Sequence, residues 1–93
     1  SNYRTGYRFE LKVKKHLEKN DWFVVRSAGS RGPIDLVGVK HGRCILIQCR
    51  VNGKVSGGEK EELVKLAAWT GFPTLIAQRC GRDIVFEVVS SGG

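Results

Sequence analysis

A two-residue turn between two alternating apolar segments restricts the fold more than any other feature of this chain. Residues 34–39 and 43–51 are rich in β-branched and aliphatic side chains, and His41-Gly42 lies between them, flanked by Lys40 and Arg43. A glycine-bearing turn of that length suits a hairpin, because its backbone twist matches that of the strands it joins. Counting outward from Lys40 opposite Arg43 places Asp35 directly across from Gln48. Alternation puts Asp35, Val37 and Val39 on one face of the first strand, and Cys44, Leu46, Gln48 and Arg50 on one face of the second. A carboxylate, an amide and a guanidinium thus gather at one end of an apolar surface, where they are costly unless paired or used. An Asp35–Arg50 ion pair with Gln48 hydrogen-bonded beside it is the purely structural arrangement of these three. A three-residue loop would slide the register by one and undo the juxtaposition.

The rest of the chain supplies partners for this hairpin. From about Arg4 to Lys19, Gly6, Phe9, Val13 and Leu17 recur at helical spacing, with Glu10 falling on the same inward stripe. Arg4, Arg8, Lys12, Lys15 and Lys19 follow one another on a different face as a basic ridge, suited either to solvent or to phosphates. Residues 22–28 read as a strand, followed by the breaker-rich loop Gly29-Ser30-Arg31-Gly32-Pro33. Ser56 followed by Glu59 predicts a capped helix with the stripe Leu63, Leu66, Ala67 and Thr70, stopped at Gly71. Its acidic residues Glu59, Glu61 and Glu62 then complement the helix dipole. Two further strands are predicted at about 74–79 and 83–88, joined at Gly81-Arg82. The order αβββαββ predicts an α/β fold, a mixed central sheet of about five strands flanked by helices. With 93 residues there is room for one domain, with a core from about residue 3 to 88.

Charge narrows the function. The chain carries 16 Lys+Arg against 9 Asp+Glu, and residues 1–56 hold 12 of the cations and only 4 of the acids. A basic field confined to one half points to a polyanion, of which nucleic acid is the commonest soluble kind. The longest apolar run, Cys44-Ile45-Leu46-Ile47, falls far short of the roughly 20 residues a spanning helix needs. No membrane partner is expected, and no leader opens the chain. Three cysteines, Cys44, Cys49 and Cys80, without Cys-x-x-Cys spacing favour neither a disulfide framework nor a zinc knuckle, and fit a reducing cytoplasm. Cys49 reads as a small buried hydrophobe on its strand rather than as a nucleophile.

Glu10 and Asp35 would bring two carboxylates together, and the loop carrying Ser30 and Arg31 leads straight into Asp35. That is a hard-cation site beside an anion-binding loop. Trp22-Phe23-Val24-Val25-Arg26-Ser27-Ala28-Gly29-Ser30, then Asp35, then Ile47-Gln48-Cys49-Arg50, preceded by Gly6 and Glu10 in a basic helix, closely resembles the archaeal Holliday junction resolvases of the PD-(D/E)xK nuclease superfamily. The resemblance covers residues 3–88. It implies a restriction endonuclease-like fold and an endodeoxyribonuclease that cuts branched DNA, the four-way junction, as a homodimer. It also implies a magnesium site, with manganese an alternative, formed by Glu10, Asp35 and Gln48. Ser30, Arg26 and Arg50 would act near the scissile phosphate, with Arg50 at the lysine position. DNA contacts would fall to Arg4, Arg8, Lys12, Lys15, Arg26, Arg31 and Arg79.

Two residues depart from the family pattern. Gln48 offers a neutral oxygen where the family has a carboxylate, which predicts weaker metal binding. Arg50 cannot lose a proton near neutral pH, so its task would be electrostatic. A non-catalytic DNA-binding module of the same fold, and a nuclease acting on duplex DNA, are the alternatives these departures leave open. A ribosome-associated RNA binder would account for the charge, though not for two acids converging on one face.

Overall fold

A computed structural model describes residues 2–27 and 32–92. The elements run α1 (Asn2–Lys19), β1 (Phe23–Arg26), β2 (Leu36–Lys40), β3 (Arg43–Arg50), α2 (Gly57–Thr70), β4 (Thr74–Cys80) and β5 (Asp83–Ser90). The five strands form one sheet in sequence order, β1-β2-β3-β4-β5. All neighbours are antiparallel except β3 and β4, which pair in parallel with α2 as the crossover. This is the expected mixed sheet flanked by helices.

The hairpin forms as its turn dictates. His41 and Gly42 both take positive φ, 48° and 76°, and the register runs from Lys40↔Arg43 to Leu36↔Ile47. Three strands are shorter than their spacing predicts, β3 only in ending at Arg50. β2 begins at Leu36, because Pro33, Ile34 and Asp35 serve the approach to the sheet, and β1 covers four residues only. Trp22 stays outside β1, with its N–H bonded to the Leu17 carbonyl at the end of α1.

Helix α1 lays Phe9, Val13 and Leu17 against Val24, Leu36, Ile47 and Ala77 on one face of the sheet, and these residues are buried. Basic His16 and Lys19 in its last turn suit the negative end of the helix dipole. On the opposite face α2 packs against β4 and β5 through Leu63 and Ala67. Thr74, fully buried there, donates its hydroxyl to the Leu63 carbonyl. Because α2 covers the β4–β5 side, the same face is left open over β1 and β2, where Phe23, Val25 and Val39 are exposed. α2 starts at Ser56, whose Oγ accepts from the Glu59 N–H, and stops at Gly71 with φ 79° and an N–H bonded to the Ala67 carbonyl. No helix among the described residues is long and apolar enough to cross a membrane.

Candidate active site

Asp35 sits at the mouth of β2. Its N–H donates to the Ile47 carbonyl at 2.9 Å, although Leu36 already stands opposite Ile47; Asp35 is thus one residue out of the hairpin register, as in a β-bulge, and not squarely across from Gln48 as the turn predicted. Its carboxylate accepts from the Cys49 N–H at 2.8 Å, so the acid is held by the backbone of β3. Burial raises the Asp35 carboxyl above its ordinary value, against the lowering effects of that hydrogen bond and of the Arg26 charge. Glu10 arrives from α1. Its carboxyl is likewise raised, first by burial and then by the charge of Asp35, while Arg26 opposes both. The Cys49 thiol is pushed up by burial, then by Asp35 and Glu10. Both acids therefore converge on the start of β2 and the end of β3, and Cys49 is inert as a nucleophile there.

Arg26 on β1 completes this side of the site. Its guanidinium lies 3.3 Å from Glu10 and is stacked over the Tyr7 ring at 4.7 Å. One pair of carboxylates is thus served by one resident cation, and the packing on Tyr7 fixes that cation's direction.

Arg50 corrects the structural arrangement expected for the hairpin. It does not pair with Asp35; its guanidinium instead meets Glu59 of α2 at 3.4 Å. Gln48 is not hydrogen-bonded beside it either. The Gln48 Oε1 and the Arg50 Nε are buried and lack any hydrogen-bond partner. Such orphans are rare and mark either strain or a missing guest. Glu59 also corrects the expectation for the acidic trio, because it is the sole acid in the first turn of α2 and serves more than the dipole. One of its oxygens accepts from the Ser56 hydroxyl and the other faces Arg50.

Among the described residues, no three or more of His, Cys, Asp and Glu gather to hold a metal ion. Two carboxylates raised by burial nevertheless fit a hard cation, and the buried Gln48 oxygen on β3 has nothing to accept. Magnesium is commonly held by one or two carboxylates, waters and the substrate's phosphates. Ser30 and Arg31 lie outside the described residues. Arg4, Arg8, Lys12 and Lys15 are exposed along α1, and Arg79, exposed on β4, donates to the Asn52 side chain at 3.3 Å.

Sequence reasoning missed Glu59 as a partner of Arg50 and Tyr7 as a platform for Arg26. The spacing of Tyr7 from Glu10, one helical turn, was a signal for the second; nothing local signals the first.

The family profile described as archaeal Holliday junction resolvase (Hjc) matches residues 1–91. A curated protein of Methanocaldococcus jannaschii, the crossover junction endodeoxyribonuclease Hjc, is 36% identical over 69 residues, or 73% of this chain. The chain spans 51% of that relative's length. Among solved structures, that of Archaeoglobus fulgidus Hjc, a Holliday junction resolvase, superposes with a TM-score of 0.76 at 27% identity. The match covers 91% of this chain and 73% of the other.

Proposed function

Because the chain belongs to the archaeal Holliday junction resolvase family, we propose that it is a metal-dependent endodeoxyribonuclease that hydrolyses phosphodiesters near the branch point of a four-way DNA junction. The observation that carries this reading is the convergence of Glu10 and Asp35, both raised by burial, at the end of the hairpin where Gln48 Oε1 is orphaned. In the proposal Glu10, Asp35 and Gln48 hold magnesium, or manganese in its place. When bound, the cation supplies a polarised phosphate and a water of lowered pKa. Arg50 stabilises the charge that develops on the phosphate as water attacks phosphorus and the P–O bond to the leaving strand breaks. Its guanidinium stays protonated throughout, so it orients and neutralises rather than accepting a proton. Arg26 neutralises Glu10 in the resting site and faces the phosphate from the β1 side. Ser30, five residues before Asp35 in the chain, is assigned a contact with the DNA backbone.

DNA would be gripped mainly through phosphates by Arg4, Arg8, Lys12, Lys15, Arg31 and Arg79, which favours recognition of shape over base sequence. A homodimer would place two such sites against two like strands. The exposed Val64, Trp69 and Phe72 on and beside α2 support an apolar contact between copies. The cytoplasm is the proposed location.

A non-catalytic junction-binding module is the second reading. What favours it is the engagement of Arg50 by Glu59, beside a glutamine where the family has an acid. Cleavage of a four-way junction and of a linear duplex with magnesium, beside Asp35→Asn, separates the readings. Junction-selective nicks lost in the variant support the resolvase; equal cutting of both DNAs supports a duplex nuclease. Tight binding without turnover in either metal supports the module.

A further inference from the structure

Helix α1 has two flanks with different neighbours. Glu10 leaves one side of the buried stripe to meet Arg26. At about 100° per residue, Arg8, Lys12, Lys15 and Lys19 lie about 140–200° round the helix from Glu10. That far flank faces the turn between β4 and β5, where the Lys12 ammonium donates to the Arg82 carbonyl. Between helix and turn runs an open cleft of about 720 Å³, lined by Arg8, Lys12, Lys15, Lys19 and Arg82, with Asp83 the one acid among the described lining residues. A smaller cavity of about 380 Å³ shares Arg8, Lys12 and Arg82 and extends the track to Arg79.

Among the described residues little compensates this charge. The described ion pairs are Lys14–Glu18, Arg26–Glu10, Arg50–Glu59 and Lys60–Glu87, and none of them uses a cation of the cleft. A cluster of like charges held beside an open cleft destabilises the fold by self-repulsion, and a bound polyanion relieves it. The dimensions suit a strand backbone. From Arg8 to Lys19 the helix rises about 16 Å, which matches about five phosphates at 3.4 Å of rise each.

We propose that this cleft is a second phosphate-backbone subsite, holding a duplex arm of the DNA other than the stretch presented to Glu10 and Asp35. The proposal rests on the resolvase reading. Because the two flanks lie on opposite sides of α1, one short run of backbone does not serve both, and a branched substrate fills them together where a short linear one fills one. Lys19 and Arg82, which the family resemblance leaves without a role, become contacts of that second arm.

The test compares the protein with Lys19→Ala/Arg82→Ala by binding to a four-way junction across a salt series. The double variant should bind more weakly, and its plot of log affinity against log salt should flatten by about 2, roughly 0.9 for each phosphate no longer neutralised. On a junction whose arms are trimmed to a few base pairs, the difference between the two proteins should disappear. Lys19→Arg/Arg82→Lys, which keeps the charges, should retain the slope and guards against a folding defect. An unchanged slope, or the same weakening on trimmed and full arms, overturns the cleft while leaving the resolvase reading standing. Failure of the unsubstituted protein to bind any junction at low salt overturns both. Displacement of the junction by polyglutamate as effectively as by DNA of equal charge assigns the cleft to acidic peptides and overturns the proposal.

Discussion

Asp35 and Glu10 are ionised at a cost, and the sign of that cost is testable. Each carboxyl is raised above its ordinary value, chiefly by burial, so the folded state binds its proton more tightly than the unfolded chain does. Stability therefore falls as pH rises from the unfolded value, near 4 for such acids, through the raised one, and the full cost persists at neutral pH. Asp35→Asn removes the charge and keeps an acceptor for the Cys49 N–H. The variant should melt higher than the parent at neutral pH, and the gap should close as pH is lowered through the carboxylate range. A gap that widens on acidification would contradict the assigned burial. The same pair of proteins reports on the metal without any cutting. Magnesium at a hundred times its Kd should stabilise the parent by about 2.7 kcal/mol, and should leave Asp35→Asn nearly unmoved in the melt. Gln48→Glu acts in the opposite direction. It replaces an orphaned oxygen with a charged one, so the magnesium concentration giving half-maximal stabilisation should fall. A midpoint that stays put removes Gln48 from the ligand set.

At the scale of elements, α2 delivers one side of the site while its cap holds it in place. Ser56 accepts from the Glu59 N–H and donates to the Glu59 carboxylate, whose other oxygen meets Arg50. Ser56→Ala should cost about 1 kcal/mol of stability, as the loss of an N-cap hydroxyl commonly does. Its effect on single-turnover cleavage should be small beside that of Glu59→Gln, which frees the guanidinium. Chemical denaturation and a quenched cleavage assay measure the two quantities separately; equal effects on cleavage would mean that the cap, rather than the carboxylate, sets Arg50. The contrast also shows what a sequence discloses. The register from Lys40–Arg43 to Leu36–Ile47 was legible because a two-residue turn fixes it and register is counted along the chain, whereas the one-residue slip at Asp35 was not. The helix of residues 57–70 was legible from Ser56, Glu59 and Gly71 for the same local reason. Arg50's partner was not, because it depends on how α2 docks across the parallel β3–β4 pair, a long-range outcome with no signature in spacing. The start of β2 lies two residues later than the apolar pattern suggests, since Ile34 and Asp35 have strand-like neighbours but serve the approach to the sheet.

For the whole molecule, the concentration of cations in residues 1–56 and their ridge on a different face of α1 from Glu10 were visible in the sequence, but what each flank faces was not. Folding sets the Arg26–Glu10 pair, nearly neutral in itself, on one flank and the uncompensated Arg8, Lys12, Lys15 and Lys19 on the other. On the proposed reading, affinity and chemistry fall on separate surfaces. Phosphate contacts give strength without sequence information, so selectivity for a branch has to come from how many surfaces a substrate fills at once. This leads to a comparison between DNAs rather than between proteins. If a junction engages the cleft and the carboxylate end together, its log affinity should fall more steeply with log salt than that of a linear duplex as long as one arm. The excess slope counts the extra phosphates, about 0.9 for each. Substituting Lys12 and Lys15 by Glu should weaken binding to both DNAs and bring the two slopes together. Equal slopes in the unsubstituted protein would mean that a junction is held as a duplex is, by one arm, and preference for a branch would then have to arise after binding.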